Sequence, residues 1–189
     1  SHLVDLMYYL CGPFAAIYGK PQIAYASRTG RDGSIWQTNA EEAFYAVATL
    51  ENGAVGTLEA NKLVLGANDD LTLEINGEKG SIRFSLMEPN WLYFYDGTRP
   101  DGAYGGERGY TRIECVGREP APFYAVGGQK APIGWLAGHV GNYHAFLEHV
   151  SARTPASPSF ADAAAVQRVL CAAMNGDGRE VSCRLKDRK

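Results

Sequence analysis

The alternation of apolar and polar residues predicts a helix at the start of the chain. One helical face is apolar and consists of Leu3, Met7 and Leu10. The opposite side is polar or aromatic and consists of His2, Asp5 and Tyr9. Because the apolar residues recur at i, i+4 and i+7, we expect a helix over residues 2–11 that is ended by the Gly12-Pro13 pair.

Two more helices and a short strand are expected at the other end of the chain. A helix over residues 138–152 has large apolar side chains on and beside one face. These side chains are Val140, Tyr143, Phe146, Leu147 and Val150. The next helix starts after Ser159, its expected N-cap, carries Asp162 in the first turn and ends near Gly176. A strand over residues 180–185 follows.

Between these ends, short runs rich in β-branched and aromatic residues predict strands separated by turns. The predicted strands span residues 22–29, 43–51, 54–62, 70–77, 80–86, 91–96 and 111–117. Asn52-Gly53 is a strong hairpin signal, because both residues accept the positive φ of a type I′ turn. Such short connections force antiparallel neighbours, since parallel crossovers need a dozen residues or more. The sequence therefore predicts an α+β fold with a large, mostly antiparallel open β-sheet and helices packed on one face.

Two predicted strands carry apolar or aromatic side chains on both faces. Strand 43–50 alternates Phe44, Ala46, Ala48 and Leu50 with Ala43, Tyr45, Val47 and Thr49. Strand 91–96 alternates Trp91, Tyr93 and Tyr95 with Leu92 and Phe94. A monomer rarely leaves so much apolar surface exposed, so we expect a homodimer or homotetramer formed through the sheet face. The alternative is that one of the glycine- and proline-rich loops, 97–109 or 118–137, covers this face.

Length and charge narrow the classes of protein to which the chain can belong. Its 189 residues suit a single domain, residues 1–189, at roughly 150 residues per domain. Lysine and arginine number 18 against 21 aspartates and glutamates, which gives a net charge of −3 without any block of like charge. We therefore expect no nucleic-acid partner and no membrane binding. No apolar run approaches the roughly 18 residues of a transmembrane helix.

The cysteines and the start of the chain point to its compartment and its extent. The four cysteines stand far apart and form no C-x-x-C pair: Cys11, Cys115, Cys171 and Cys183. Such isolated thiols are typical of small buried side chains in a reducing compartment, so we expect a cytoplasmic protein. The chain opens at Ser1-His2 inside a helical pattern, which suggests a piece of a longer protein. A Ser-His remnant of a cleaved tag is the alternative.

Several chemistries are excluded because their motifs are missing. The chain has no G-x-G-x-x-G and no P-loop, so we expect no dinucleotide to bind to it alone. His139, His144 and His149 recur every five residues, which turns each about 140° from the next on a helix. They cannot converge on one metal ion, and we expect none. No G-x-S-x-G elbow is present either.

His2 is the remaining candidate for chemistry. It lies in the first turn of the predicted helix, and Asp5 follows one turn later. The positive end of a helix disfavours the imidazolium form, which leaves the ring neutral and able to take a proton. An exposed terminal histidine without a function is the alternative.

Four stretches of the chain carry a resemblance to a known family. Residues 1–12 fit the segment G-x-H-x-x-D-x-x-x-x-L-x-G from its second position onward. Residues 42–61 and 73–82 resemble two successive hairpins, and residues 146–181 resemble a closing helix–helix–strand. In this order, over nearly the whole chain, they resemble the second domain of the glucose–fructose oxidoreductase/inositol dehydrogenase (GFO/IDH/MocA) family.

This resemblance implies the substrate-side domain of an NAD(P)-dependent oxidoreductase that acts on a hydroxyl of a sugar, a polyol or a related compound. It implies a fold like the C-terminal domain of glyceraldehyde-3-phosphate dehydrogenase and oligomers formed through the sheet. An N-terminal Rossmann domain of the same protein would hold NAD or NADP, and the chain alone would be inactive. A non-catalytic binding or oligomerisation module of the same fold is the alternative.

The resemblance also assigns roles to particular residues. The family's proton-carrying histidine corresponds to His2, and Asp5 matches a structural acidic position. Asn61 and Lys62, just past a predicted strand, are candidates to bond sugar hydroxyls, with a solvated strand end as the alternative. Two further candidates for substrate binding are Trp135 and His139, for which plain packing of Trp135 is the alternative.

Overall fold

The computed structural model describes residues 1–100, 102–105, 108–118, 130–176 and 178–184. These residues form an α+β fold with antiparallel open sheets and three α-helices, which confirms the predicted fold class. The chain divides into two compact units. The first unit comprises Ser1–Leu65 and Ser157–Lys189, and the second comprises Gly66–Ala156.

The described part of the chain forms helices and strands in the following order. They are α1 (His2–Cys11), β1 (Phe14–Gln22), β2 (Ser27–Thr29), β3 (Ile35–Gln37), β4 (Ala43–Leu50), β5 (Val55–Asn61), β6 (Thr72–Gly77), β7 (Gly80–Ser85), β8 (Trp91–Asp96), β9 (Thr111–Glu114), α2 (Trp135–Ala152), α3 (Phe160–Asn175) and β10 (Val181–Ser182). A short 3₁₀ turn at Ala103–Gly105 lies between β8 and β9. Among the described residues, no helix has the length and apolarity that crossing a membrane requires.

The first unit is built on a four-stranded antiparallel sheet in the order β10-β1-β4-β5. The helices α1 and α3 pack on one face of this sheet. The buried core between them consists of Val4, Phe14, Ile17, Ala46, Ala48, Leu50, Val166, Val169 and Ala173. The opposite face of the sheet is open, because Tyr18, Tyr45 and Val47 on that side are more than a third exposed.

The central strand β1 was not predicted from the sequence. The first strand was predicted over residues 22–29, where the structure has only the short β2. Gly19 explains how β1 fits under α3. A Cβ atom at Gly19 would collide with the carbonyl group of Ala173 and would lie 2.7 Å from Cζ of Phe44. The strand and the helix therefore approach so closely that only glycine fits between them.

Helix α1 is rotated relative to the prediction. The buried residue is Val4, and Met7, Tyr8 and Cys11 pack beside it against the core. Leu10, which the pattern placed on the buried face, is 46% exposed. The helix ends at Gly12, as predicted, with φ of 101°.

The hairpin between β4 and β5 forms as the Asn52-Gly53 signal predicts. Gly53 has φ of 87°, and the side chain of Asn52 accepts a hydrogen bond from the N–H of Ala54 at 3.0 Å. The amide of Asn52 also donates to the carbonyl of Cys11 at 3.0 Å, so the turn satisfies an end carbonyl of α1.

A buried carboxylate anchors the two-stranded ribbon β2–β3. Glu42 is only 7% exposed and accepts hydrogen bonds from the N–H groups of Ala24 and Tyr25, both at 3.0 Å. Its other carboxylate oxygen forms an ion pair with Arg28, which also lies over the ring of Tyr25. This pairing compensates the cost of burying the charge and fixes the path of the chain into β2.

The second unit contains a four-stranded antiparallel sheet in the order β6-β7-β8-β9. One row across this sheet consists of Glu74, Arg83, Tyr93 and Arg112. Arg83 bonds Glu74 at 2.8 Å and lies over Tyr110, while Arg112 lies 3.7 Å from the ring centre of Trp91. Stacked guanidinium groups and aromatic rings therefore cover this face of the sheet.

Helix α2 begins at Trp135, three residues before the predicted start. The predicted 118–137 loop therefore ends earlier, and its residues 119–129 lie outside the described part of the chain. Gly141 is buried, whereas the large apolar side chains of the helix are more than half exposed. These side chains are Trp135, Leu136, Tyr143, Phe146, Leu147 and Val150.

Helix α3 begins as the sequence predicts. Ser159 is the N-cap, its hydroxyl accepts from the N–H of Ala161, and Asp162 accepts from the N–H of Ser159 at 2.6 Å. These hydrogen bonds, from the hydroxyl and then the N–H of Ser159, lower the pKa of Asp162. The helix start is therefore fixed by local chemistry.

The fit of Gly19 under α3 gives a direct test of the core. We expect Gly19→Ala to lower the free energy of unfolding by about 1–3 kcal/mol, because the new methyl group overpacks the strand–helix contact. The matched control is Gly138→Ala in α2, where a Cβ atom would meet no atom within 4 Å and should be neutral or slightly stabilising. Urea denaturation of both variants measures the difference. Equal stability of Gly19→Ala and the unmodified chain would contradict the close approach.

Candidate functional site

His2 is the first residue of α1, directly after the N-cap Ser1. Its side chain is exposed, whereas Val4 on the other side of the helix is 5% exposed and packs in the core. The carbonyl of Ser1 accepts the N–H of Asp5 at 3.0 Å, which closes the first turn. The core contacts of α1 thus hold the imidazole on the outer side of a fixed helix.

The outer side of α1 is apolar about two turns beyond His2. Tyr9 and Leu10 lie on the outer side of α1 and are 83% and 46% exposed. Asp5 is also exposed on this side, as the sequence predicts. The outer side of α1 therefore carries the imidazole of His2 together with exposed apolar surface that another domain or chain can cover.

The side chain of Asn61, at the end of β5, makes three hydrogen bonds, one of which its carbonyl oxygen accepts from the N–H of Leu63 at 2.8 Å. Its amide nitrogen donates to the hydroxyl of Tyr45 and to the carboxylate of Glu59, both at 3.1 Å. Gly56 and Leu58 of the same strand face α1 and the core, so Asn61 lies on the opposite, open face. The structure therefore places Asn61 and His2 on different sides of the sheet.

Lys62 follows β5 and has an exposed side chain. Its N–H donates to the carbonyl of Glu42 at 2.9 Å, which fixes its backbone at the end of the sheet. The side chain of Lys62 is exposed at this end, so its ammonium group is accessible to a ligand.

Trp135 and His139 form an edge-to-face pair in the first turns of α2, with ring centres 4.3 Å apart. Trp135 is 78% exposed, so its ring is not packed into a core. The pair lies in the second unit, whereas the other three candidates lie in the first.

The open face of the first unit carries a shallow groove that sequence reasoning missed. It is lined mainly by exposed side chains from three strands: Tyr18, Lys20, Tyr45, Val47, Thr57 and Glu59. The sequence predicted a strand at 22–29 and none at 14–22, so Tyr18 and Lys20 were not assigned to any face of the sheet. The alternation of Tyr45 and Val47 with buried alanines was the available signal.

Metal ligands do not cluster in the described ranges 1–100, 102–105, 108–118, 130–176 and 178–184. No group of three histidine, cysteine, aspartate or glutamate side chains there could hold an ion. His144 contacts Glu148 at 3.3 Å, and His149 pairs with the hydroxyl of Thr154 at 2.9 Å. These two histidines are therefore engaged in local contacts along α2.

Comparison with protein families supports the resemblance read from the sequence. Residues 1–83 match the model of the GFO/IDH/MocA C-terminal domain. A similar protein is the levoglucosan dehydrogenase of Pseudarthrobacter phenanthrenivorans, with 26% identity over 179 residues, covering 86% of this chain and 44% of that protein.

Solved structures extend the similarity over almost the whole chain. Levoglucosan dehydrogenase in complex with NADH and L-sorbose matches with a TM-score of 0.84 and 25% identity, over 97% of this chain and 49% of that one. An oxidoreductase domain protein from Kribbella flavida matches with a TM-score of 0.85 and 27% identity, over 97% and 48%. The chain spans about half the length of the relatives it matches. The chain is therefore similar to the C-terminal domain of the GFO/IDH/MocA family in its first 83 residues, and its fold is similar to that of these oxidoreductases over nearly its whole length.

Proposed function

We propose that this chain is the substrate-side domain of an NAD(P)-dependent oxidoreductase that acts on a hydroxyl of a sugar, polyol or related compound. The observation that carries the proposal is the similarity to a dehydrogenase whose structure contains NADH and L-sorbose, over 97% of this chain. The exposed imidazole of His2, on a helix whose other side is buried, supports it from the geometry.

His2 is the proton carrier in this proposal. Oxidising a secondary alcohol removes a hydride from carbon and a proton from the hydroxyl, and the nicotinamide supplies the hydride acceptor. An imidazole suits the proton transfer because it changes charge near neutral pH. Its place at the first residue of α1, with the helix anchored by Val4 and by the Asn52 hydrogen bond to Cys11, restricts its position.

The cofactor itself does not fit the residues of this chain. No G-x-G-x-x-G or P-loop occurs in the 189 residues, and these are the motifs whose turns present backbone N–H groups to a pyrophosphate. The proposal therefore assigns NAD or NADP to an N-terminal Rossmann domain of the same protein. The exposed apolar residues Tyr9 and Leu10 on α1, and the exposed side of α2, are surfaces that such a domain can cover.

Four side chains are proposed to contact the substrate. Lys62 can donate to a sugar hydroxyl, and the Trp135–His139 pair offers an aromatic face next to a polar ring. Both donor hydrogens of Asn61 are directed at Tyr45 and Glu59, and its carbonyl oxygen accepts from the N–H of Leu63 at 2.8 Å, so a substrate contact would replace one of these bonds. Asn61 also lies on the opposite side of the sheet from His2. Asn61 is therefore the weakest of the four.

The open sheet face is proposed to bind a second copy of the chain, in a homodimer or homotetramer. Tyr18, Tyr45 and Val47 stay 37%, 38% and 48% exposed on this face. Tyrosine side chains of this kind are common anchors of protein interfaces. In the second unit, the row of arginine and aromatic side chains on β7–β9 has the composition of interface centres as well.

Titration with NADH tests whether the cofactor belongs to another domain. We expect no saturable binding of NADH to the isolated chain at micromolar concentration, because the phosphate-binding turn is missing. Nicotinamide fluorescence measures this, and the intact protein that carries the chain is the positive control. Saturable micromolar binding to the isolated, folded chain would contradict the proposal.

Replacing His2 tests the proton carrier in the intact protein. We expect His2→Ala to lower kcat about 10²–10⁴-fold, with a smaller effect on cofactor affinity and a changed acid limb of the pH–rate profile. The matched control is His144→Ala on α2, which should leave kcat unchanged. A His2→Ala variant with unchanged kcat and pH profile would instead favour a non-catalytic binding or oligomerisation module.

The mass of the chain in solution tests the proposed assembly. We expect light scattering at micromolar concentration to give a dimer or tetramer, and we expect Val47→Glu to dissociate it, because the variant places a charge in the apolar centre of the face. The control is Val64→Glu, a loop valine that is 50% exposed, similar to Val47 at 48%. A monomer of 20.5 kDa for the unmodified chain would contradict assembly through the sheet.

A further inference from the structure

Glu42 joins three segments at one end of the sheet in the first unit. Its N–H donates to the carbonyl of Gln22 at the end of β1, and its carbonyl accepts the N–H of Lys62 just past β5, both at 2.9 Å. The bond to Lys62 extends the pairing of β4 with β5 by one residue beyond Ala43 and Asn61. The main chain of Glu42 therefore fixes the point at which the side chain of Lys62 leaves the sheet.

Lys62 lies on the side of the sheet that carries α1. Gly56 and Leu58 face α1 and the core, and side chains alternate between the two faces along a strand. Ala60 and Lys62 continue this set, whereas Asn61 falls on the open face. Within the described part of the chain Lys62 forms no ion pair, so its charge is available to a ligand on the α1 side of the sheet.

The N-terminus of α1 points toward this same end of the sheet. The amide of Asn52, in the turn before β5, donates to the carbonyl of Cys11, and Met7, one turn earlier in the helix, meets Gly56 on β5. Passing from Cys11 to His2, the helix thus follows β5 from the turn toward the end of the strand. The Cα–Cβ bonds of a helix tilt toward its N-terminus, so the side chain of His2 leaves the helix in the same direction.

The distance between His2 and Lys62 along the strand suits a small ligand. Met7 lies level with Gly56. From Met7 to His2 the helix rises about 7.5 Å, since each residue adds 1.5 Å. From Gly56 to Lys62 the strand extends about 20 Å. The backbones of His2 and Lys62 are therefore about 12 Å apart along the strand, a distance that one sugar ring spans together with the two side chains.

The carboxylate of Glu42 holds a second basic side chain at this end of the sheet. Its Oε2 atom accepts the N–H groups of Ala24 and Tyr25, and its Oε1 atom forms the ion pair with a terminal nitrogen of Arg28. The guanidinium of Arg28 lies 5.0 Å from the ring centre of Tyr25. A guanidinium has five N–H donors, and the side chain of Arg28 is 57% exposed, so donors remain for a ligand.

The charge of Glu42 exceeds what anchoring the ribbon β2–β3 requires. An uncharged side-chain oxygen would also accept the N–H groups of Ala24 and Tyr25, and burying a carboxylate is costly unless it is paired. The charge is matched by Arg28, which stays more than half exposed beside the residue that fixes Lys62. Glu42 thus holds two basic side chains at one sheet end and reduces the repulsion between them.

We propose that Glu42 is a positioning residue of the substrate site. Its carbonyl fixes Lys62 and its carboxylate fixes Arg28, and these two basic side chains donate hydrogen bonds to the substrate hydroxyls at the sheet end toward which α1 points. Arg28 thereby joins the residues that contact the substrate. This inference rests on the proposed function, because it requires a hydroxyl compound that binds within reach of His2.

Replacing Glu42 by glutamine in the intact protein tests the positioning. Glu42→Gln keeps the main-chain bond to Lys62 and an oxygen for the N–H groups of Ala24 and Tyr25, but it loses the charge that holds Arg28. We expect the KM for the sugar to rise about 10-fold, because a hydrogen bond from a charged group to the substrate is lost. We expect kcat and the KM of the nicotinamide cofactor to stay within about twofold, since this contact is made equally in the ground and transition states.

Variants of Arg28 test the same contact without disturbing a buried residue. Arg28→Ala should raise the KM for the sugar by a similar factor, and Arg28→Lys, which keeps the charge, should recover part of the loss. The double variant Arg28→Ala/Glu42→Gln should be no weaker than Arg28→Ala alone, because both changes remove one contact. The matched controls are Arg31→Ala in the turn of the ribbon and Glu41→Gln beside Glu42, which should leave the KM unchanged.

Steady-state kinetics with L-sorbose, D-glucose and myo-inositol, each with NAD⁺ and NADP⁺, measure these constants, and thermal unfolding reports whether each variant is folded. A Glu42→Gln variant with a lower melting temperature and an unchanged KM would show an anchor of the ribbon only. That result, or an unchanged KM for Arg28→Ala, would overturn the inference and leave the proposed function intact. An unmodified protein that oxidises none of these compounds would contradict the proposed function and the inference with it.

Discussion

The close approach of α3 to the sheet is the constraint on which the first unit depends. Gly19 lies under the carbonyl of Ala173, and the facing strand β4 presents Ala46 and Ala48, which are 5% and 1% exposed. Small side chains on both sides let the helix sit low on the strands, so that Ile17 is completely buried. Interiors are packed as densely as crystals, so one added methyl group at this contact has nowhere to go.

This packing determines which surfaces remain for function. Both helices of the first unit use the same face of the sheet, which leaves the other face exposed with Tyr18, Tyr45 and Val47. The same core contacts fix the rotation of α1, so that His2, Tyr9 and Leu10 are all exposed. The chemistry proposed for α1 and the assembly proposed for the open face therefore follow from one arrangement of small residues.

The second unit covers its sheet differently. Arg83 and Arg112 stack on the rings of Tyr110 and Trp91 and form ion pairs with Glu74 and Glu88. Guanidinium groups and carboxylates therefore lie over aromatic rings on this face. Its helix α2 buries Gly141 and leaves its bulky side chains exposed. A helix with its large apolar residues outward is typical of a surface that another body covers.

The sequence by itself determined the features that depend on neighbouring residues. The turn at Asn52-Gly53, the capping of α3 by Ser159, and the strand that starts at Ala43 all formed as predicted, because local backbone preferences suffice for them. The resemblance to the GFO/IDH/MocA family was also visible in the sequence, since the order of several short segments carries it.

Only the tertiary structure decided the features that depend on distant parts of the chain. β1 carries a glycine and a proline that resemble loop signals, yet it is a central strand because β4 and β10 pair with it and α3 packs on it. The rotation of α1 is likewise set by the sheet beneath it. For the candidate site, the sequence selected suitable residue types, but the side of the sheet on which Asn61 lies depends on strand register, and a shift of one residue would reverse it.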